Sequence, residues 1–97
     1  MTTQPTDALE RLLSETEGAH GVYETTELAG VYDREWPRWY AAYAVEHGFA
    51  ELVGRDVAAD DLADLLTRAW GELSALDPKP DEPWTAWIAR WLIEELG

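Results

Sequence analysis

The sequence predicts an all-α fold, a small four-helix bundle or two packed αα-hairpins, with a frayed N-terminus and a proline-rich connector before the last helix. Three observations carry this. Apolar residues recur at spacings of three, four and seven in four separate windows, the period of helices that bury one face. Nowhere do four or more residues alternate apolar and polar between turn signals, apart from a faint Gly21–Thr25, so strands have no support. Connections rich in glycine or proline are short enough to set successive helices antiparallel. A chain of 97 residues forms a single domain with one core.

Residues 1–6 are polar and without periodicity, and are expected to be disordered. A first helix is expected over 7–24. Asp7 caps it with Glu10 at capping-box spacing, and Leu9, Leu12 and Leu13 form a stripe that Thr16, His20 and Tyr23 continue. Gly18 and Gly21 weaken this helix, which places its end between Glu17 and Glu24. Residues 25–32, closed by Gly30, read as a loop or one short turn.

The second helix is expected over 34–47, because Pro37 suits a first turn and Gly48 the left-handed residue beyond an end. Trp36, Trp39, Tyr40, Tyr43 and His47 share one of its faces. Phe49, Leu52 and Val53 lead through Gly54 into a third helix over 59–76, opened by Asp60 and Asp61 where negative charge suits the helix dipole. Its stripe is Leu62, Leu65, Leu66, Ala69, Trp70, Leu73 and Leu76. The segment DPKPDEP, 77–83, is a stiff connector. Pro83 opens the fourth helix, 83–96, whose buried side is Trp84, Trp87, Ile88, Trp91, Leu92 and Leu96; Glu94 and Glu95 oppose the dipole at its end and predict fraying.

One pattern appears twice. WPRWYAAY (36–43) and WTAWIARW (84–91) align at a separation of 48, matching Trp36 to Trp84, Trp39 to Trp87 and Tyr43 to Trp91. Upstream, LERLL (9–13) echoes LADLL (62–66), so each half offers a leucine-striped helix followed by an aromatic-striped one.

Twenty acidic residues against seven basic ones give a formal net charge of -13, spread along the whole chain. Such a field repels phosphate backbones and anionic lipid, so neither nucleic acid nor membrane is an expected partner. The longest apolar run, Trp39–Val45, falls far short of the roughly 20 residues a bilayer requires, and the expected location is cytoplasmic. Without cysteine there are neither disulfides nor thiolate metal sites.

Chemical motifs are sparse. Glu17 and His20 have the Glu-x-x-His spacing of carboxylate–imidazole metal sites, but in a single copy. Gly48 interrupts the four-residue spacing of His47 and Glu51. Glu17, His20 and His47 are therefore weak metal candidates only, and no cofactor and no catalytic residue is assigned. Paired carboxylates, Asp33 with Glu35 and Asp60 with Asp61 and Asp64, lie where helix starts attract negative charge. Arg34, Arg38 and Arg90 interleave with the tryptophans, which suits contacts to rings or pairing with Asp33 and Glu94.

The aromatic stripes are expected first of all to pack as core, where large rings bury the most surface, and what part of them stays at the surface carries the functional reading: a small acidic interaction module that binds a protein partner, a second copy of itself or a basic protein, through Trp36, Trp39, Tyr43, Trp84, Trp87 and Trp91. The alternative is small-ligand or metal binding, with or without catalysis, in an aromatic pocket near Tyr43 and His47. For a basic partner steered by the negative field, affinity is expected to fall steeply with added salt; binding isotherms across ionic strength that stay flat would contradict it.

Overall fold

The computed structural model describes residues 5–30 and 33–96. It is all-α, with no strand among the described residues: α1 (Pro5–Glu27), α2 (Trp36–Glu46), α3 (Phe49–Val53), α4 (Ala59–Ala75) and α5 (Trp84–Leu96). None of these helices is long and apolar enough to cross a membrane. Residues 1–4, with their expected disorder, and Val31 and Tyr32 lie outside the described residues.

Helix α1 starts two residues before Asp7 and outruns Glu24. It passes through Gly18 and Gly21 because Leu9, Leu12, Leu13, Thr16 and His20 are all buried along one face, and packing outweighs two weak helix formers. The Thr16 hydroxyl, buried there, donates to the Leu12 carbonyl at 2.7 Å. Helix α2 has Pro37 in its first turn and is followed by Gly48 at φ 101°, the left-handed position the sequence suggested. A second left-handed glycine, Gly54 at φ 76°, closes α3. This one-turn helix, a segment expected only to lead onward, exists because the two glycines reverse the chain on either side of fully buried Phe49.

The four long helices form a ring. Helices α1 and α4 each contact both α2 and α5, and α3 lies against α1 and α2. The start of α2, the end of α4, the start of α5 and the C-terminal half of α1 gather at one end, so successive long helices run antiparallel. Leucine, isoleucine, alanine and Phe49 fill the interior, with Leu9, Leu13, Leu62, Leu66, Ile88 and Leu92 essentially inaccessible.

Here the tryptophans depart from expectation. The buried centre of α2 is Tyr40, Ala41 and Ala44, and that of α5 is Thr85, Ile88, Ala89 and Leu92. Trp36, Trp39, Trp84, Trp87 and Trp91 are half-buried flanks packed against that core. Trp70 and Leu76, assigned to the buried stripe of α4, are 41% and 38% exposed. The buried line of α4 runs through Leu62, Leu66, Ala69 and Leu73; Trp70 stands one position, a turn of about 100°, off it, and Leu76 follows the helix end.

The two halves match in burial as well as in pattern. At the 48-residue offset, buried Tyr40, Ala41 and Ala44 correspond to buried Ile88, Ala89 and Leu92; between α1 and α4, at an offset of 53, Leu9, Leu13, Thr16 and His20 correspond to Leu62, Leu66, Ala69 and Leu73. Exchanging α1 with α4 and α2 with α5 maps the ring onto itself, including its two most extensive interfaces, α2 on α4 and α1 on α5.

Charged side chains finish the helix ends. Lys79 donates through Nζ to the carbonyls of Ser74 and, at 2.8 Å, Leu76, satisfying the end of α4. Arg55 donates to the Leu96 carbonyl at 2.7 Å, and Arg68 pairs with Glu95 at 3.1 Å, so α5 continues to Leu96 despite Glu94 and Glu95. The arginine pairings differ from those expected: Arg38 meets Glu35 at 3.4 Å, Arg90 meets Glu82 at 2.5 Å, and it is Arg68 that lies over a ring, that of Trp91, at 5.4 Å.

Nothing crowds a methyl group built on exposed Gly18 or Gly21. Gly18→Ala and Gly21→Ala are each expected to stabilise the fold by about 0.5–1 kcal/mol in urea denaturation, and a loss of stability would show that α1 is not helical there.

Candidate functional site

The residues that gather at one end of the ring border a half-open cavity of about 230 Å³, lined by Glu17, His20, Glu24, Trp36, Tyr40, Trp70 and Trp84. All four long helices contribute. From α1, Glu17, His20 and Glu24 project at i, i+3 and i+7, one face of a helix. From α2 come Trp36 and Tyr40, again one turn apart.

Three indoles form adjoining walls at near right angles. Trp36 and Trp70 cross at 79° with centroids 5.8 Å apart, and Trp70 and Trp84 cross at 88° and 6.1 Å. Tyr40 makes the base, 5.1 Å from Trp36 and 5.9 Å from Trp84. Edge-to-face crossings of this kind are favourable for aromatic pairs, so the box holds its shape without a guest. The Trp84 indole Nε1 donates to Glu17 Oε2 at 2.7 Å, which pins the carboxylate to the wall.

Behind the base, buried His20 packs edge-on against Trp39 and Tyr40, each 5.0 Å away. Its Nε2 donates to Asp33 Oδ2 at 2.8 Å, and its Nδ1 lies 3.7 Å from Glu24 Oε1. Asp33 in turn accepts from the Glu35 amide at 2.9 Å and donates its own amide to Glu24 Oε2 at 3.3 Å. This cluster ties the end of α1 to the entry of α2. Burial, with Glu17 and Glu24 nearby, pushes the Tyr40 hydroxyl up to about 12.

The residues singled out from sequence are divided by this arrangement. Trp36 and Trp84 line the cavity, together with Glu17 and His20. Trp39 faces α1, 5.0 Å from His20 and 5.4 Å from Tyr23, and stacks on Tyr43 at 5.5 Å. His47 is exposed, stacks on Tyr43 at 3.9 Å and meets the Tyr43 carbonyl through Nδ1 at 2.8 Å. Tyr43 and His47 do not line this cavity, which lies one turn back around Tyr40. Trp91 lies beneath Arg68, and Trp87 is a half-buried flank. Among the described residues no three His, Asp or Glu side chains converge in a geometry suited to a metal ion.

Sequence reasoning missed Tyr40, Trp70, Glu24 and Asp33 as site residues. One signal was available: Glu17, His20 and Glu24 continue the leucine face of α1, where titratable groups are out of place unless they have partners. Trp70 gave none, since only the rotation of α4 against its neighbours turns it from the core to the cavity.

The folded state holds the Tyr40 proton more tightly than an unfolded chain with tyrosine near 10.0, so the stabilisation is complete below pH 10 and is lost between about pH 10 and 12. At ~1.4 kcal/mol per pH unit it amounts to roughly 2–3 kcal/mol. The stability difference between the native chain and Tyr40→Phe is expected to change by that amount across the window; a constant difference in urea denaturation would refute it. No family model, no curated protein and no solved structure matches this chain.

Proposed function

We propose that this chain is a small acidic binding module whose recognition site is the aromatic cavity at one end of the bundle. The three-indole box with Trp70 left 41% exposed carries this reading. Tryptophan left half open in a concave site is a common anchor for recognition, because its large surface is desolvated at little cost in side-chain entropy. A cavity of about 230 Å³ lies below the roughly 300–1,000 Å³ of drug-sized sites, so it receives a small molecule or a single side chain of a partner.

A second reading has its own support. Two exposed large apolar residues, Trp70 and Leu76, lie in the last turns of α4 or just past its end, the end where the cavity lies. A protein partner, a basic one or a second copy of this chain, would cover them together with the cavity. Sedimentation at rising concentration tests the second copy.

The cavity reading is tested by tryptophan emission. In a screen of small molecules, binders are expected to shift the emission, and Trp70→Ala is expected to weaken them at least tenfold, about 1.4 kcal/mol, while leaving the circular dichroism unchanged. Binders indifferent to Trp70→Ala, or a screen that never moves the emission, would refute the site.

A further inference from the structure

We propose that the group this cavity receives is an alkylammonium cation, with a methylated ammonium as the best fit. The inference rests on the cavity being the recognition site and goes on to name what enters it. Its first support is the charge of the lining: Glu17 and Glu24 face the cavity, and neither lysine nor arginine lines it. Behind them stands Asp33, and the single imidazole of His20 lies between its carboxylate and that of Glu24, so the acids outnumber the one cationisable group there. The arginines with carboxylate partners spend their charge elsewhere, on Glu35, Glu95 and Glu82. An anionic guest is repelled, and an uncharged one strips water from Glu17 without replacing it.

The second support is the wall. Aromatic faces carry negative potential and attract cations that shed water easily, a methylated ammonium above all. Three indoles at 79° and 88° to one another, with Tyr40 below, surround a guest on several sides. Because the Trp84 N–H is already donated to Glu17, the carboxylate is held at the wall and the indole has no free donor to offer an anion.

Size and chemistry exclude the neighbouring possibilities. The space equals roughly seven or eight water volumes at ~30 Å³ each, enough for a trimethylammonium group and part of its stem. A divalent metal ion requires several directed oxygen or nitrogen ligands, which indoles do not supply and which do not converge among the described residues. A methylated ammonium has low charge density and needs no directed ligand, only rings and a nearby negative charge.

Such a cation is carried by a free metabolite or by a modified lysine of a partner protein, and one experiment separates the two. The isotopically labelled full chain is titrated with choline, with choline's uncharged isostere bearing carbon in place of nitrogen, and with a peptide containing trimethyllysine, while the indole N–H resonances are followed. Saturable shifts with choline, and binding of the isostere tenfold weaker or worse, support the proposal. Binding of the peptide alone supports it with the cation on a partner. Exposed Glu17→Gln is expected to weaken the cations about tenfold and to strengthen the isostere, which no longer has to strip water from a carboxylate. Equal binding of choline and isostere overturns the cation inference and leaves the cavity reading intact. No response to any of the three probes overturns it too; the cavity reading falls as well only if the wider screen is also silent.

Discussion

A ring of four helices has a narrow interior, and in this chain leucine, alanine, isoleucine and a single phenylalanine already fill it. Six tryptophans have to go somewhere else. They pack as half-buried flanks and as the walls of one end, and the rest of the architecture follows from that displacement. Small residues at the helix contacts, Ala41, Ala44, Ala69 and Ala89, let the backbones approach closely, which leaves still less room for an indole between them. The apolar surface of the rings is thus only partly withdrawn from water along the flanks, and at the end of the bundle it is turned inward around a void.

The site arises where two similar halves stop being similar. Trp36 and Trp84 occupy corresponding positions and face the same cavity. Around them the halves diverge: Tyr40 stands opposite Ile88, His20 opposite Leu73, and Glu17 opposite Trp70. One half therefore supplies the acids, the imidazole and the phenol, and the other contributes apolar core and a tryptophan wall. A symmetric ring is an economical scaffold, and breaking its equivalence at a few positions is enough to turn a packed end into a polar, aromatic-walled recess.

The fold was largely legible in the sequence, since it depends on periodicity and punctuation. Four leucine or aromatic stripes, Pro37 and Gly48 place the long helices to within a few residues. What was not legible depends on rotation. A stripe shows that a face is apolar, but the rank of Tyr40 above Trp36 and Trp39 in burial comes from how α2 turns against α4, and the exposure of Trp70 from the matching turn of α4. The site lay half hidden for the same reason. The spacing of Glu17 and His20 suggests a pair of metal ligands and nothing more. Their actual partners, the Trp84 indole and Asp33, lie 67 and 13 residues away, and no local pattern announces contacts of that range.

The hydrogen bond from Trp84 to Glu17 joins residues near opposite ends of the chain, and every long helix lends a wall to the recess. No stretch of polypeptide shorter than 17–84 contains all of its walls, and an extended chain has nothing with which to hold a guest. Occupancy is therefore coupled in full to the folding equilibrium: a guest at a hundred times its dissociation constant adds about 2.7 kcal/mol to the native state. For a domain of this size that is a substantial fraction of total stability. If the recess is the binding site proposed above, the abundance of the protein in a cell rises and falls with the supply of its guest.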